Sequence, residues 1–196
     1  MKGRGFALAL LLVAHPVLAQ ERPAAVVLPA EVAPFVEAGS IPIALEKVDL
    51  DHDGRADWLL VLEFGKPRID PRDRYEEEGP RALLLLRRGV DGRLVMAARN
   101  DHVVYCRGCG GMMGDPFQGL EAAAGRFTVT NAGGSRYRWS RAFTFAWSRI
   151  DSAWQLVRIE DGSLDIHDPR QREQRRVRRP PKDYGKIDFK AYVPEQ

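Results

Sequence analysis

An alternation of apolar and polar residues over positions 126–148 is the feature that most constrains the fold of this chain. Odd positions from Phe127 to Trp147 carry mostly aromatic and aliphatic side chains. The polar residues at even positions include Arg138, Ser140, Thr144 and Ser148. Successive side chains of a β-strand point to opposite faces, so the pattern predicts a hairpin with one apolar and one polar face. The segment 131–135, Asn-Ala-Gly-Gly-Ser, has the residue types that hairpin turns favour.

The chain after residue 41 shows further short apolar or alternating runs, separated by Gly, Asp and Asn. Two of them, 58–62 and 82–86, are apolar at every position, which indicates central strands covered on both faces. The pattern predicts strands at 43–49, 57–64, 81–88, 93–99, 102–106, 126–131, 136–148, 153–160 and 186–192. The expected fold class is mainly β, an antiparallel sandwich or a closed, barrel-like sheet forming a single domain over residues 41–196.

The N-terminus has the three parts of a signal peptide. Lys2 and Arg4 precede a short apolar run at 6–13, and Ala19 completes a cleavage motif of small residues. The run is much shorter than the roughly 20 residues of a membrane-spanning helix. We therefore interpret residues 1–19 as a cleaved signal peptide rather than a retained anchor. The expected location is the periplasm or the extracellular space, with no membrane span in the mature protein.

Residues 20–40 are rich in Ala, Pro and Val, a composition that favours an extended arm with one short N-terminal helix near residues 30–37. Position 20 is Gln rather than Cys, so lipid anchoring is not expected.

The charge of the chain excludes a general role in binding nucleic acid. Removing Lys2 and Arg4 from the 30 basic residues leaves 28, against 27 acidic residues. The mature chain is therefore nearly neutral. Seven basic residues are concentrated within 168–182, which we interpret as an Arg-rich solvated linker before a C-terminal strand at 186–192. An anionic partner for this segment is the alternative.

The segment 49–57, Asp-Leu-Asp-His-Asp-Gly-Arg-Ala-Asp, has carboxylates at its first, third, fifth and ninth positions and glycine at its sixth. Alternate side chains of such a tight loop can point to one centre, where a hard divalent cation relieves the repulsion between carboxylates. The predicted ligands of a structural calcium ion are the side chains of Asp49, Asp51, Asp53 and Asp57 and the backbone carbonyl of Arg55. His52 lies between ligands and is expected to point outward. Asx turns without a metal are the alternative.

This segment, flanked by the predicted strands 43–49 and 57–64, resembles the strand-loop-strand calcium motif of FG-GAP or VCBS-type repeats. The resemblance implies that the five residues just named coordinate calcium within a hairpin. It covers about 20 residues and a single copy, so it does not imply the propeller that several copies build. The EF-hand differs, because its bidentate Glu at position twelve is replaced here by Leu60.

Cys106 and Cys109 are the only cysteines of the chain. In an exported protein their spacing favours a local structural disulfide. A redox-active pair is the second reading, and a zinc site with His102 is the third. The glycine-rich segment 108–117 that follows is expected to form a long loop over a sheet edge.

A wider likeness extends over most of the mature chain. The segments 100–106, 109–117, 133–139 and 181–189 resemble bacterial periplasmic or lipoprotein-like proteins of unassigned function. That resemblance implies an exported location and no particular activity.

These features lead to a functional hypothesis and two rivals. The first is a non-enzymatic, calcium-stabilised binding or interaction domain whose partner is an envelope protein, a peptide or a polysaccharide. The second is an enzyme, either a thiol-disulfide oxidoreductase using Cys106 and Cys109 or a hydrolase with acids from Asp101, Asp115 or Glu121. The third is an inhibitor or immunity protein.

Overall fold

The protein is a β-sandwich. The structure is a computed structural model that describes residues 26–65, 79–170 and 172–195, so the predicted signal peptide at 1–19 lies outside the described residues. The first sheet has the order β1-β2-β3-β4 and the second β5-β6-β7-β8-β9, with antiparallel pairing throughout. The strands are β1 (Ser40–Val48), β2 (Asp57–Phe64), β3 (Arg81–Arg88), β4 (Leu94–Asn100), β5 (Phe117–Ala123), β6 (Arg126–Gly134), β7 (Tyr137–Ser148), β8 (Ala153–Asp165) and β9 (Gln174–Arg178).

Helical structure within these ranges is confined to the 3-10 segments Ala33–Phe35, Arg107–Met113 and Phe189–Ala191. Among the described residues, none of these helices has the length or the apolar character needed to cross a membrane. The first segment falls within the short N-terminal helix predicted at 30–37, and Pro34 stands at its start.

The central strands β2 and β3 are covered on both faces, as their apolar runs predict. One face, with Leu59 and Leu85, packs into the core between the sheets. The opposite face, with Leu60 and Leu84, packs against the N-terminal segment through Val32 and neighbouring apolar residues. The arm therefore acts as a third layer on the first sheet.

The predicted hairpin is confirmed as β6 and β7, in which Phe127 pairs with Phe145 and Val129 with Phe143. These four side chains are buried in the core between the sheets, whereas Tyr137, at the start of β7, is 64% exposed. The strands continue to Gly134, so the turn is tighter than the predicted segment 131–135.

The C-terminal segment closes one side of the core. The ring of Phe189 packs edge-on against Phe127 and Phe145, with centroids 5.4 and 5.1 Å apart. The side-chain amide of Asn100, at the end of β4, donates to the backbone carbonyls of Phe189 and Tyr192. This segment is therefore held to both sheets.

Two predicted strands are wrong. Residues 102–106 do not join a ladder, because the side chains of Asn100 and Asn131 bind the backbone groups of residues 102, 103 and 105. At 186–192, a single bridge joins Asp188 to Gln155, and Asp188 then caps the 3-10 helix that follows. In both places side-chain hydrogen bonds replace the backbone pairing of a sheet.

The sequence interpretation also missed β5 and β9. Gly119 interrupts the apolar pattern of β5, with φ of 157° and a register shift against β6. The strand β9 lies inside the segment 168–182 that we interpreted as a linker. It pairs with β8 at the edge of the second sheet, where charged side chains are common.

Candidate metal centre

The acidic loop joins β1 to β2 at one end of the first sheet, directly after the pair Val48 and Asp57. Its chain reversal uses two residues with positive φ, His52 at 61° and Gly54 at 83°. Glycine adopts this left-handed conformation without the steric cost that a side chain brings. The glycine at the sixth position of the motif is therefore explained by the backbone of the loop.

Three of the predicted ligands converge. Asp49, Asp51 and Asp57 each offer a carboxylate oxygen, and these oxygens lie within 4.8 Å of one another. Asp57 is fully buried, Asp51 is nearly so, and Asp49 is half-buried. Such a group of hard oxygen donors could hold a metal ion.

Asp57 fastens the loop to the sheet. One of its carboxylate oxygens accepts the N–H of Leu50 at 2.9 Å, and the other accepts the N–H of Arg88, at the end of β3, at 2.7 Å. Asp49 orders the turn itself, because its oxygens accept the N–H groups of Asp53 and Gly54 at 3.2 and 3.0 Å. Both residues thus have a structural role within the loop in addition to their place in the acidic group.

Asp51 differs from both, because nothing in the described structure satisfies one of its oxygens. Its side chain is only 6% exposed, yet Oδ1 is buried without a hydrogen-bond partner. The other oxygen, Oδ2, lies 3.3 Å from Nε of Arg87. A buried carboxylate without partners is costly, so this oxygen is the strongest indication of a cation in the site.

The pKa values of the three carboxyl groups differ in direction. Burial raises the pKa of Asp51, and the negative charges of Asp53 and Asp57 raise it further. Burial also raises the pKa of Asp57, against the effect of its two backbone hydrogen bonds. Burial opposes ionisation of Asp49 as well, but the N–H groups bound to it outweigh burial and lower its pKa. A bound cation would favour the ionised form of all three groups.

Asp53, the fourth predicted carboxylate ligand, lies outside this group of three. One carboxylate oxygen of Asp53 accepts the N–H of Arg55 at 2.9 Å, and the other is ion-paired with the guanidinium of the same arginine. Nε of Arg55 donates to the carbonyl of Arg88 at 3.1 Å. These contacts fix the outer side of the loop against the end of β3.

The loop also contacts the second sheet, and no local sequence pattern predicts this contact. The N–H of Gly125, in the turn between β5 and β6, donates to the carbonyl of Asp49 at 2.8 Å. The imidazole of His52 lies so close over Gly125 that a Cβ there would be 2.0 Å from Nε2. Nε1 of Trp154 donates to the carbonyl of Leu50 at 2.9 Å. A cation in this loop would therefore sit where the two sheets are joined.

Cys106 and Cys109 form a disulfide at the start of the 3-10 segment Arg107–Met113, where the N–H of Cys109 also donates to the carbonyl of Cys106. The segment is helical where a loop was expected. Since both sulfurs are bonded to each other, neither is a thiolate ligand for zinc in this state.

An ion cluster fastens the disulfide segment to the first sheet; Arg81 and Glu63 are buried at its centre, and Asp115 and Arg107 are half-exposed at its edge. The guanidinium of Arg81 is 1% exposed, and it binds both oxygens of Asp115, at 2.7 and 2.6 Å, as well as the carbonyl of Tyr105 at 3.0 Å. Nε of Arg81 donates to Glu63, its cross-strand partner, at 2.9 Å. Arg107 is ion-paired with the other oxygen of Glu63. The sequence contains one signal for this cluster: Glu63 directly follows the apolar run 58–62, and Arg81 directly precedes the apolar run 82–86.

The acids that sequence analysis offered for a hydrolase lie in separate places. Asp101 is paired with Arg99 at 2.7 Å, Asp115 belongs to the Arg81 cluster, and Glu121 is an exposed residue of β5. Within residues 26–65, 79–170 and 172–195, the group of converging acidic ligands is the one at Asp49, Asp51 and Asp57.

Comparison of the chain with protein-family models, curated proteins and solved structures finds no match.

Proposed function

We propose that this protein is an exported, calcium-stabilised domain whose function is to bind a partner in the cell envelope. The observation that carries the calcium assignment is the buried, unpartnered Oδ1 of Asp51 beside the carboxylates of Asp49 and Asp57. A divalent cation would supply the missing partner and neutralise three neighbouring negative charges.

Calcium suits these donors better than the softer metals. The acidic group contains only carboxylate oxygens, which hard cations prefer. Calcium takes six to eight oxygens, so the carbonyl of Arg55 and water would complete its coordination. The likeness of the loop to FG-GAP or VCBS-type motifs points the same way. The signal-peptide pattern at 1–19 would direct the protein out of the cytoplasm. Outside the cell, calcium is abundant enough to occupy sites of low affinity.

A structural role for the cation is supported by its surroundings. Asp57 joins the loop to β3, while the backbone of Asp49 and Leu50 is bonded to the second sheet. Calcium would therefore stabilise the contact between the two sheets and preserve the surfaces of the sandwich. An envelope protein, a peptide or a polysaccharide is the proposed class of partner.

A calcium titration followed by thermal unfolding tests the metal site. The midpoint should rise with calcium, since a ligand at 100 times its Kd stabilises the folded state by about 2.7 kcal/mol. Asp51→Asn should abolish the rise. Asp168→Asn is the matched control, because it removes the same charge from a partly exposed carboxylate outside the acidic loop. An unchanged response of Asp51→Asn, or no response of the natural chain, would refute the site.

The binding role needs a separate experiment. The calcium-loaded protein should retain a specific envelope component on an affinity column, and prior removal of calcium should weaken that retention. A purified protein that retains nothing and instead turns over a substrate would contradict a binding domain.

The exposure of Cys109 favours one alternative, a thiol-disulfide oxidoreductase. Exposure of a sulfur permits attack by an incoming thiolate. Measurement of the reduction potential in dithiol buffers separates the two functions. A potential below about −300 mV indicates a structural bridge, whereas a value near those of thiol oxidants would support exchange.

A further inference from the structure

A cleft of about 330 Å³ lies between the inner face of β7, β8 and β9 and the C-terminal segment 183–195. Its size is at the lower end of the range for small-molecule sites. The residues that line it include Arg141, Phe143, Ile159, Arg178, Tyr184 and Ile187. It shares no residue with the acidic loop, so the inference below is independent of the calcium site.

Two arginines at this cleft share one acidic residue. Nε of Arg141 lies 3.3 Å from Oδ1 of Asp161, and Nη2 of Arg178 donates to Oδ2 of the same carboxylate at 3.0 Å. Two guanidinium groups and one carboxylate leave a net charge of +1 on this trio, and the carboxylate of Asp183, which also lines the cleft, accepts the N–H of Arg179 at 2.7 Å. Because this group is only partly accessible to water, an additional anion is favoured beside it.

Glu195 of the chain itself supplies that anion, but only loosely. Its backbone carbonyl accepts from Nη1 of Arg141, while its carboxylate lies 3.7 Å from Nη1 of Arg178, too far for a hydrogen bond. The side chain of Glu195 is 88% exposed. An exposed ion pair of this length contributes little free energy, so another carboxylate could replace it.

Two buried polar atoms of the cleft-lining residues have no hydrogen-bond partner within the described residues. They are Nε of Arg178 and the hydroxyl of Tyr184. Burial raises the pKa of Tyr184, so its hydroxyl stays protonated and can donate to an anion. These two unpartnered groups are donors, which an acceptor in the cleft would satisfy, whereas the unpartnered Oδ1 of Asp161 is an acceptor that lies 3.3 Å from Nε of Arg141.

We propose that this cleft binds a small organic carboxylate with an apolar body, whose carboxylate takes the place of the Glu195 side chain. Arg178 and Tyr184 donate to the carboxylate. The apolar body lies against Phe143, Ile159 and Ile187, which supply the hydrophobic part of the lining.

Titrations of the full-length protein with 3-phenylpropanoate, monitored by the amide NMR signals of Tyr184 and Ile187, test the proposal. The neutral analogue 3-phenylpropanamide should bind at least about tenfold more weakly, since it lacks the charge-assisted hydrogen bonds. Inorganic phosphate, at equal ionic strength, should also bind more weakly because it has no apolar body. Equal affinity for either comparison compound would overturn the proposal.

Variants identify the groups involved. Glu195→Gln removes the internal competitor and should tighten binding of the probe, whereas Arg178→Gln should weaken it by about tenfold. Arg175→Gln is the matched control, because Arg175 lies on the same strand but pairs with Glu160. An unchanged affinity of Glu195→Gln would contradict the proposal even if Arg178→Gln failed to fold, since Glu195 is an exposed side chain.

Discussion

The indole of Trp154 and the carbonyl oxygen of Leu50 form a buried 2.9 Å hydrogen bond that ties the acidic loop of the first sheet to β8 of the second. The same indole packs against Trp147, with ring centroids 4.7 Å apart. A change in the loop is therefore transmitted directly to a pair of tryptophans. We expect calcium binding to change the intrinsic fluorescence of the protein.

Replacement of this tryptophan tests the connection. Trp154→Phe should lower the free energy of unfolding by about 2 kcal/mol, because the Leu50 carbonyl loses its partner in a buried environment. The variant should also lose most of the fluorescence response to calcium. Trp139→Phe is the control, since Trp139 packs on Tyr105 rather than on the loop. A full response in Trp154→Phe would show that the signal arises elsewhere.

Asp51 and Asp57 should respond differently to the same substitution when calcium is absent. The two carboxylate oxygens of Asp57 accept the N–H groups of Leu50 and Arg88, one each. Asp57→Asn leaves a single side-chain oxygen, so one of these two hydrogen bonds is lost. It should cost about 1–3 kcal/mol of stability. Asp51→Asn should cost little under these conditions, because removing the repulsion from Asp53 and Asp57 offsets the loss of the 3.3 Å ion pair with Arg87. Urea unfolding in a calcium chelator measures both. Equal losses would contradict the distinct roles assigned to the two residues.

The fold could be predicted where burial alone decides it. The alternation around Phe127 and Phe145 and the two apolar runs of β2 and β3 correspond to strands. Their apolar side chains are buried in the core between the sheets or against the N-terminal segment, so burial alone determines the pattern. The strand β9 escaped prediction because its residues are charged and its pairing depends on the exposed edge of β8. Residues 102–106 were misjudged because the side chain of Asn100 forms a local turn with the N–H groups of residues 102 and 103, and the distant Asn131 binds the carbonyl of Val103.

The acidic group shows the same limit at the candidate metal site. Spacing brought forward Asp49, Asp51, Asp53 and Asp57 together, because a tight loop directs alternate side chains inward, and it did not single out the three that converge. It could not show that Asp57 also holds β3, or that Gly125 and Trp154 reach the loop from the other sheet. Those contacts depend on how the two sheets stack, which is not encoded in the local pattern.

Removal of the buried arginine should be among the most damaging single changes. Arg81→Met leaves the carboxylate of Glu63 buried with one of its cationic partners gone, and should cost about 3–5 kcal/mol. The double variant Arg81→Met, Glu63→Leu should be more stable than Arg81→Met alone, because it removes the buried Glu63 carboxylate as well as the Arg81 guanidinium. Denaturant unfolding of the two single variants and the double variant gives the coupling energy. Additive losses would contradict a direct interaction.

Asp115, the second acidic partner of Arg81, should make the stability of the protein depend on pH in the acid range. Burial opposes its ionisation, but hydrogen bonds from Arg81 and from the N–H of Phe117 outweigh burial and lower its pKa in the folded state. The stabilisation is therefore complete above the unfolded-state pKa of about 3.9 and is lost as the pH falls through the lower folded-state pKa. Asp115→Asn lacks this contribution at every pH.

The free energies of unfolding of the natural chain and of Asp115→Asn should accordingly differ most at neutral pH and converge below about pH 4. Urea unfolding from pH 6 to pH 2 measures the two curves. Asp91→Asn serves as the control, since Asp91 is an exposed carboxylate in the turn between β3 and β4 whose removal changes the net charge equally. A constant difference between the natural chain and Asp115→Asn across this range would show that the Arg81 pair does not favour the ionised carboxylate.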